Sequence, residues 1–383
     1  MADKKDSGEN PTIEFGESFN AAYLQNEIES AGGSWRAGPT PLAHLSIEEQ
    51  QARLGLVISE EQMAATASAI QASEQVRELA AEFAAPPPSV DWRAKGGNWV
   101  TSIKDQHECS ACVSFATLAA IEARINIACN DTTIDMDLSE AHLFYCGCGN
   151  CCGGGWTFEP ALDFCKNNGV GLDASFPFTP NNQPCKPGVA AALKITNWTR
   201  VFSIADRKNI IATKGPMVGG MKVFQDFYAY TGGVYRHVSG LQVGLHAICI
   251  IGYDDAAQCW ICKNSWNTTW GDGGFFRIGY GECGIDTNFA FYDMDVSCPP
   301  IEGEQPEEPD ARVVDCTQYI PILKQVLIAA QTNASLRRCL RYYVCGRGSR
   351  PLCSAAVTRV VNAVLGILEQ CPELRTPFCQ VLH

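Results

Sequence analysis

The sequence predicts an α+β protein assembled from more than one folding unit. Three observations carry that expectation. The 383 residues exceed the ~100–200 that one ordinary core organises. In the long middle stretch, a helix-periodic first half gives way to apolar runs bounded by Asp and Gly clusters. The cysteines are also partitioned: none in residues 1–108, fourteen from Cys109 to Cys298, and six from Cys316 to Cys379. With 46% hydrophobic and 19% charged residues, the composition is globular, not disordered.

Residues 1–86 read as a small helical unit. Ile47 to Phe83 is rich in Glu, Gln, Ala and Leu, and Ser46 with Glu49 forms a capping-box pattern before it. Ala84-Ala85-Pro86-Pro87-Pro88 cannot continue a helix and should be extended, open to a protease. The unit from residue 87 to 298 begins helical, with Cys112 to about Ile127 placing Phe115, Leu118, Ala119 and Ile125 on one face. It ends in strands at His246–Tyr253, Cys259–Asn264 and Phe275–Tyr280. Residues 299–315 form an acidic, Pro-rich linker. Residues 316–383 should form a helical module, Tyr319–Tyr343 and Ser354–Gln370, stapled by six cysteines.

Charge narrows the function. The net −13 excludes the basic footprint of a nucleic-acid binder. It is unevenly spread: net −9 over residues 1–86, −10 over 87–315, and +6 over 316–383. No apolar run approaches the ~18–20 residues of a bilayer span, so no transmembrane segment is expected. Cysteine density suggests disulfides and an oxidising compartment. Four sequons, at Asn130, Asn197, Asn267 and Asn333, permit glycosylation. The polar start MADKKDSGEN shows no signal core, so a targeting segment is expected to be missing from this chain.

One stretch carries chemistry: Lys104-Asp105-Gln106-His107-Glu108-Cys109-Ser110-Ala111-Cys112. A Cys-x-x-Cys pair is a redox motif, half a zinc site, or a nucleophile beside a structural cysteine. Zinc needs a second ligand pair. Cys259 and Cys262 lie on a predicted strand, where i and i+3 face opposite ways. A redox motif wants a βαβ context that is missing. A nucleophilic thiol needs a helix N-terminus and an imidazole, a group to orient that imidazole, and an oxyanion donor. Of six histidines, His246 opens an apolar strand. Lys263-Asn264-Ser265-Trp266 then offers an amide for its ring and an indole to shield that bond.

These segments resemble the papain family of cysteine peptidases, over about residues 87–298. The family signature places His and Asn ~130–150 residues after the Cys; here Cys112, His246 and Asn264 are so spaced. The resemblance implies a two-lobed fold, a helical lobe and a β-barrel-like lobe. It implies Cys112 as nucleophile, His246 as base and acid, Asn264 as orienting amide and Gln106 as oxyanion donor. Leu138-Ser139-Glu140 matches another family segment. Cys151-Cys152-Gly153-Gly154 matches the family's C-x-G-G edge, which makes Gly153 and Gly154 substrate-binding. Met217 and Asn288 fall on the wall and floor of the main specificity pocket, and Trp266 is also implied in substrate binding; a neutral Asn288 suggests an apolar or moderately polar preference. Family disulfides would pair Cys109 with Cys151, and Cys146 with Cys185. NSWNTTWGDGG, from Asn264, is close to cathepsin B. That enzyme's cleft-blocking insertion is absent between Cys151 and Cys185, which implies an endopeptidase. Val113 and Ser110 replace the usual Trp and Gly, and His107-Glu108 the common Gly-Ser.

Trp35-Arg36-Ala37-Gly38 and Leu42-Ala43-His44-Leu45 resemble propeptide motifs, so residues 1–86 are expected to inhibit the peptidase until cut near Ala84–Pro88. No cofactor or metal is implied; the partners are polypeptide substrates, the propeptide and a docking partner for residues 316–383. The destination is the secretory pathway: lysosome, vacuole or exterior. Rival readings are a transpeptidase or ligase of the same fold and a catalytically silent binding protein. Without Cys112, thirteen cysteines remain between Cys109 and Cys298, an odd number, so at least one must be free or paired elsewhere.

Overall fold

The structure, a computed structural model, describes residues 15–16, 18–78, 86–299, 323, 326–327, 330, 333–347, 351, 353–370 and 374–382. The chain divides into two compact units, Met1–Arg77 with Ala84–Pro299, and Glu78–Phe83 with Pro300–His383. The expected linker lies outside the described residues, apart from Pro299.

In the first unit the N-terminal segment holds α1 (Ala21–Ser30), β1 (Arg36–Ala37), α2 (Ile47–Ala52) and α3 (Glu60–Glu78). Ser46 and Glu49 form the expected capping box on α2. The helical stretch expected over Ile47–Phe83, whose residues 79–83 lie outside the described ones, is interrupted: Arg53 to Ile58 leave it, and Ser59 with Gln62 begins α3. Gly55, Val57 and Ile58 are poor helix formers, and this stretch finds strand partners elsewhere in the fold. Among the described residues the segment forms no separate core cluster. Phe19, Leu24, Ile28, Trp35, Leu42, Leu54 and Leu56 are buried in one cluster with the apolar residues of 87–299.

The remainder of this unit continues with β2 (Ser89–Asp91), α4 (Cys112–Cys129), α5 (Glu140–Gly147), α6 (Phe158–Asn167), β3 (Asn197–Val201), α7 (Ile204–Thr213) and β4 (Met217–Phe224). Then come β5 (Tyr230–Gly232), β6 (Val234–Tyr235), β7 (Gln242–Asp254), β8 (Cys259–Lys263), β9 (Phe275–Gly279) and β10 (Phe291–Asp295). Helices therefore precede strands, as the periodicity predicts. The eight-stranded sheet runs β3-β10-β4-β7-β8-β9-β6, with β2 also on β7. Its described pairings are antiparallel except β6 with β9. The long β7 is the spine, and α4 packs against it.

The single apolar face expected for α4 is wrong: Cys112 to Asn126 are all buried. Among the described residues α4 is also the one helix long and apolar enough to cross a bilayer, contrary to the expectation that no segment comes near. A helix hydrophobic all round suits a core as well as a membrane, and this one lies inside the fold.

The second unit is helical. Asn333 caps Ala334–Cys339, its side-chain oxygen accepting from Ser335 and Leu336 N–H, so the single helix expected across Tyr319–Tyr343 does not run through Asn333. A π-helical turn, Leu340–Val344, follows, then Ala355–Gln370 and Arg375–Val381. Cys339–Cys353 and Cys345–Cys379 staple it around Leu336, Leu340, Val361, Val364 and Phe378.

Candidate active site

Cys112 is the first residue of α4, and no side chain caps that helix. The uncapped N–H groups and the helix dipole thus favour an anion at its sulfur. Ala247 N–H approaches the same atom at 3.5 Å from β7, so β7 borders the thiol directly and carries His246 beside it.

His246 and Asn264 meet because β7 and β8 are neighbouring antiparallel strands. His246 Nε2 lies 2.7 Å from Asn264 Oδ1, and that oxygen also accepts from Ser265 N–H at 2.8 Å. An acceptor at Oδ1 requires the imidazole proton on Nε2. Nδ1 is then left with a lone pair, and it has no other hydrogen-bond partner. Trp266 covers this bond: its ring centroid lies 4.8 Å from that of His246, and Tyr228 stacks on its other side. Trp266, expected from the sequence both as a shield for this bond and as a substrate contact, is buried beside the imidazole as the shield requires.

Gln106 sits on a rigid ledge. Its N–H donates to Ser265 O at 3.0 Å, and Ser265 Oγ donates to Gln106 Oε1 at 2.6 Å. This orients Nε2 toward Arg53 O at 3.0 Å and Cys109 O at 2.9 Å. Next to it, Lys104 is bound by Glu122 of α4 at 3.0 Å and Glu140 of α5 at 2.8 Å. Burial disfavours the ammonium, yet Glu122 and Glu140 hold its pKa above the ordinary lysine range. That buried cluster ties the Gln106 ledge to the helix that presents Cys112.

The cleft is filled by residues 53–57. The backbone of Gly55 lies against the Cys112 sulfur. Gly55 O accepts from Trp156 N–H at 2.7 Å and Trp156 O from Val57 N–H at 2.9 Å, a parallel bridge. A Cβ on Gly55 would lie 2.0 Å from Ser110 O, so only glycine fits. Leu56 Cδ2 lies where a side chain on Gly220 would project, beside Phe289. Burial beneath this strap pushes the Cys112 thiol up to about 11, against the N–H groups of Ala247 and Gly55. It pulls His246 down to about 4, against the Asn264 bond. Both groups are therefore neutral at neutral pH while the strap is seated.

Further back, Trp35 anchors the same segment. Its Nε1–H donates to Arg236 O at 2.8 Å, its ring packs 5.2 Å from Tyr235, and β1 pairs with β5.

The disulfides correct one expectation. Cys146 does pair with Cys185, but Cys109 pairs with Cys152, and Cys151 with Cys148. The C-x-G-G edge therefore begins one residue later. A Cβ on Gly153 or Gly154 would meet nothing within 4 Å, whereas one on Gly155 would lie 2.3 Å from Gly55 O. Two adjacent cysteines offer two registers, and spacing alone does not choose. Cys129–Cys298 is the fourth bridge here. Cys165, Cys249, Cys259, Cys262 and Cys283 are free and buried, which satisfies the odd count.

Met217 is buried in β4 opposite Ile250, and Asn288 is half-buried with Oδ1 beside Gly284. The residues found against Leu56, Gly220 and Phe289, were missed; each lies in the same segment as a residue the sequence singled out. Ser265 was missed too, although it adjoins Asn264. Among the described residues no group of three or more His, Cys, Asp or Glu is placed to hold a metal ion.

The family follows from this arrangement and from comparison. Residues 86–292 match the model of the papain family of cysteine proteases, and the chain belongs to that family. It is 34% identical to cysteine proteinase 2 of Entamoeba histolytica over 218 residues, 53% of this chain and 67% of that protein. It is 30% identical to cathepsin B-like cysteine proteinase 1 of Haemonchus contortus over 247 residues, 53% of this chain and 72% of that one. The fold is shared with procathepsin B S9 of Trypanosoma congolense, with a TM-score of 0.59, 22% identity, and coverage of 74% of this chain and all of that one.

Proposed function

We propose that this chain is the zymogen of a cysteine endopeptidase, with residues 1–86 as inhibitory propeptide, 87–298 as peptidase, 299–315 as linker and 316–383 as accessory module. The observation that carries the reading is the convergence of Cys112, His246–Asn264 and Gln106 beneath residues 53–57. Once the strap leaves, water re-enters and the helix dipole and hydrated imidazolium favour proton transfer from Cys112 Sγ to His246 Nδ1. The thiolate attacks the scissile carbonyl. Gln106 Nε2–H and the Cys112 N–H stabilise the oxyanion. His246 protonates the leaving amine, and an acyl-enzyme remains on Cys112. His246 then takes a proton from water, which attacks the acyl carbon and frees the thiol.

Ser89–Asp91 is a strand of the sheet, and Pro88 O accepts from Asp255 N–H. The activating cut therefore belongs before it. The disulfides support maturation in an oxidising compartment and a secreted, lysosomal or vacuolar destination. All four sequon asparagines are exposed, which supports glycosylation.

The test is incubation of the full chain in mild reductant between about pH 4 and 7, followed by intact mass and a fluorogenic peptide. Loss of about the first 84–88 residues, with activity in the wild type and none in Cys112→Ala, is expected. Gln106→Ala should lower kcat by about 10²–10³ with the fold intact. No labelling of Cys112 by a thiol reagent, even after another protease removes the propeptide, would leave a binding protein.

A further inference from the structure

Arg53 is the one basic residue between Ile47 and Ile58, and its guanidinium goes into the cleft wall, not into solvent. The residue is 8% exposed. One terminal nitrogen lies 3.8 Å from Asp105 Oδ1 and the other 3.4 Å from Glu108 Oε1, while Nε is buried without a partner. A guanidinium with an unsatisfied N–H is costly to bury. The two carboxylates must offset that cost.

Those carboxylates stand on a pre-formed loop. Asp105 bridges Trp266, Asn267 N–H donates to Lys104 O at 3.2 Å, and Asp105 Oδ1 accepts from His107 N–H at 2.8 Å. His107 adopts a left-handed φ of 49° between them, and the Asp105 and Glu108 carboxylates flank one guanidinium. None of these three contacts involves Arg53, so they persist when residue 53 is gone, and Gln106 loses its bond to Arg53 O.

Position along the strap says which half of the cleft this is. Leu56 lies against Gly220 and Phe289, and Gly55 pairs with the Gly155–Trp156 edge and covers the thiol. Arg53 lies on the far side of the thiol, its carbonyl on Gln106. The acyl half of a substrate would add to the Gly155–Trp156 edge, so the Asp105–Glu108 wall faces the leaving-group half.

We propose that Asp105 and Glu108 form an acidic subsite that selects polypeptide substrates carrying arginine or lysine on the leaving-group side of the scissile bond, and that Arg53 occupies it in the zymogen. This rests on the endopeptidase reading. Asp105 also meets His107 Nδ1 and Asn267 Nδ2, each at 3.5 Å. The Glu108 side chain is 61% exposed, so it can be changed without disturbing the core.

The experiment uses the self-processed full chain and internally quenched peptides with one acyl half and Arg, Ala or Glu in the two positions after the scissile bond. The expected kcat/KM ratio of Arg to Ala is about tenfold, the range of a charge-assisted pair at a partly exposed site. Glu108→Gln should cut the ratio to about threefold or less, and Glu108→Lys should favour the Glu peptide. Turnover of the Ala peptide is the reference within each variant, so the ratio reads selectivity and not overall rate. Equal rates for Arg and Ala, or an Arg preference that survives both substitutions, would overturn the subsite and leave the endopeptidase reading standing. Failure to cleave even the Ala peptide would overturn both.

Discussion

At the thiol, the strap changes chemistry as well as access. The neutral Cys112–His246 pair follows from burial, because residues 53–57 replace the water that would solvate a thiolate and an imidazolium. His246 titrates at about 4 in the closed chain against its ordinary 6.5. The unfolded chain therefore binds that proton more tightly, and stability is lost as pH falls from about 6.5 to about 4. The loss amounts to a few kcal/mol, on the order of 1.4 per unit of difference. The melting temperature of the Cys112→Ala zymogen should fall more steeply from pH 7 to 4 than that of Cys112→Ala with His246→Gln. Parallel curves would remove His246 from the acid response. Gly55→Ala tests the strap, since its Cβ meets a backbone oxygen at 2.0 Å and nothing soft can yield. We expect that zymogen to process itself at neutral pH, where the wild type stays latent. Gly55 was legible only as a residue in a helical run, because its partners, Ser110 and Trp156, are distant in sequence.

At the level of elements, β1 and its tryptophan hold the propeptide by sheet addition. Trp35 is fully enclosed among Tyr230, Tyr235 and Arg236, and truncating a buried aromatic costs about 3–5 kcal/mol. Trp35→Ala should weaken latency by two or more orders of magnitude in the rate of self-processing, with peptidase turnover unchanged after processing. An unchanged rate would mean that the strap alone closes the cleft. The motif around Trp35 was readable in the sequence, and so were β7 and β8, whose buried parts are near-continuous apolar runs, and β9, a short aromatic stretch bounded by Asp and Gly clusters. The break between α2 and α3 was not. Helix propensity is strong on either side of it, and the poor helix formers Gly55, Val57 and Ile58 take an extended path because the edge at Gly155–Trp156 supplies backbone partners.

Over the whole molecule, the cysteine arithmetic becomes a measurement. Burial raises the pKa of all five non-catalytic free thiols, with Cys249 up to about 12 and Cys259 up to about 11. A thiol reagent at neutral pH should therefore modify none of the six described thiols in the intact zymogen and one, Cys112, after processing. Labelling of a second thiol in the folded enzyme would show an opening that the packing does not suggest. The basic C-terminal unit, stapled among its described residues by Cys339–Cys353 and Cys345–Cys379, has a core of its own, so removing residues 311–383 should leave turnover of short peptides unaltered. A changed localisation, or slower cleavage of a polymeric substrate alone, would establish it as a targeting or docking module.

By itself the sequence determined the family and the odd thiol count, and it singled out the four residues that the fold brings together and the N-terminal segment that covers them. Each of these is written in local spacing or in residue chemistry that has few substitutes. Tertiary structure decided the rest: which of two adjacent cysteines pairs with Cys109, which glycine forms the edge, where the propeptide leaves its helix, and what Arg53 touches. Those outcomes depend on contacts between segments 40 or more residues apart. One-residue shifts there leave the local pattern intact but move a side chain out of the cleft or into it.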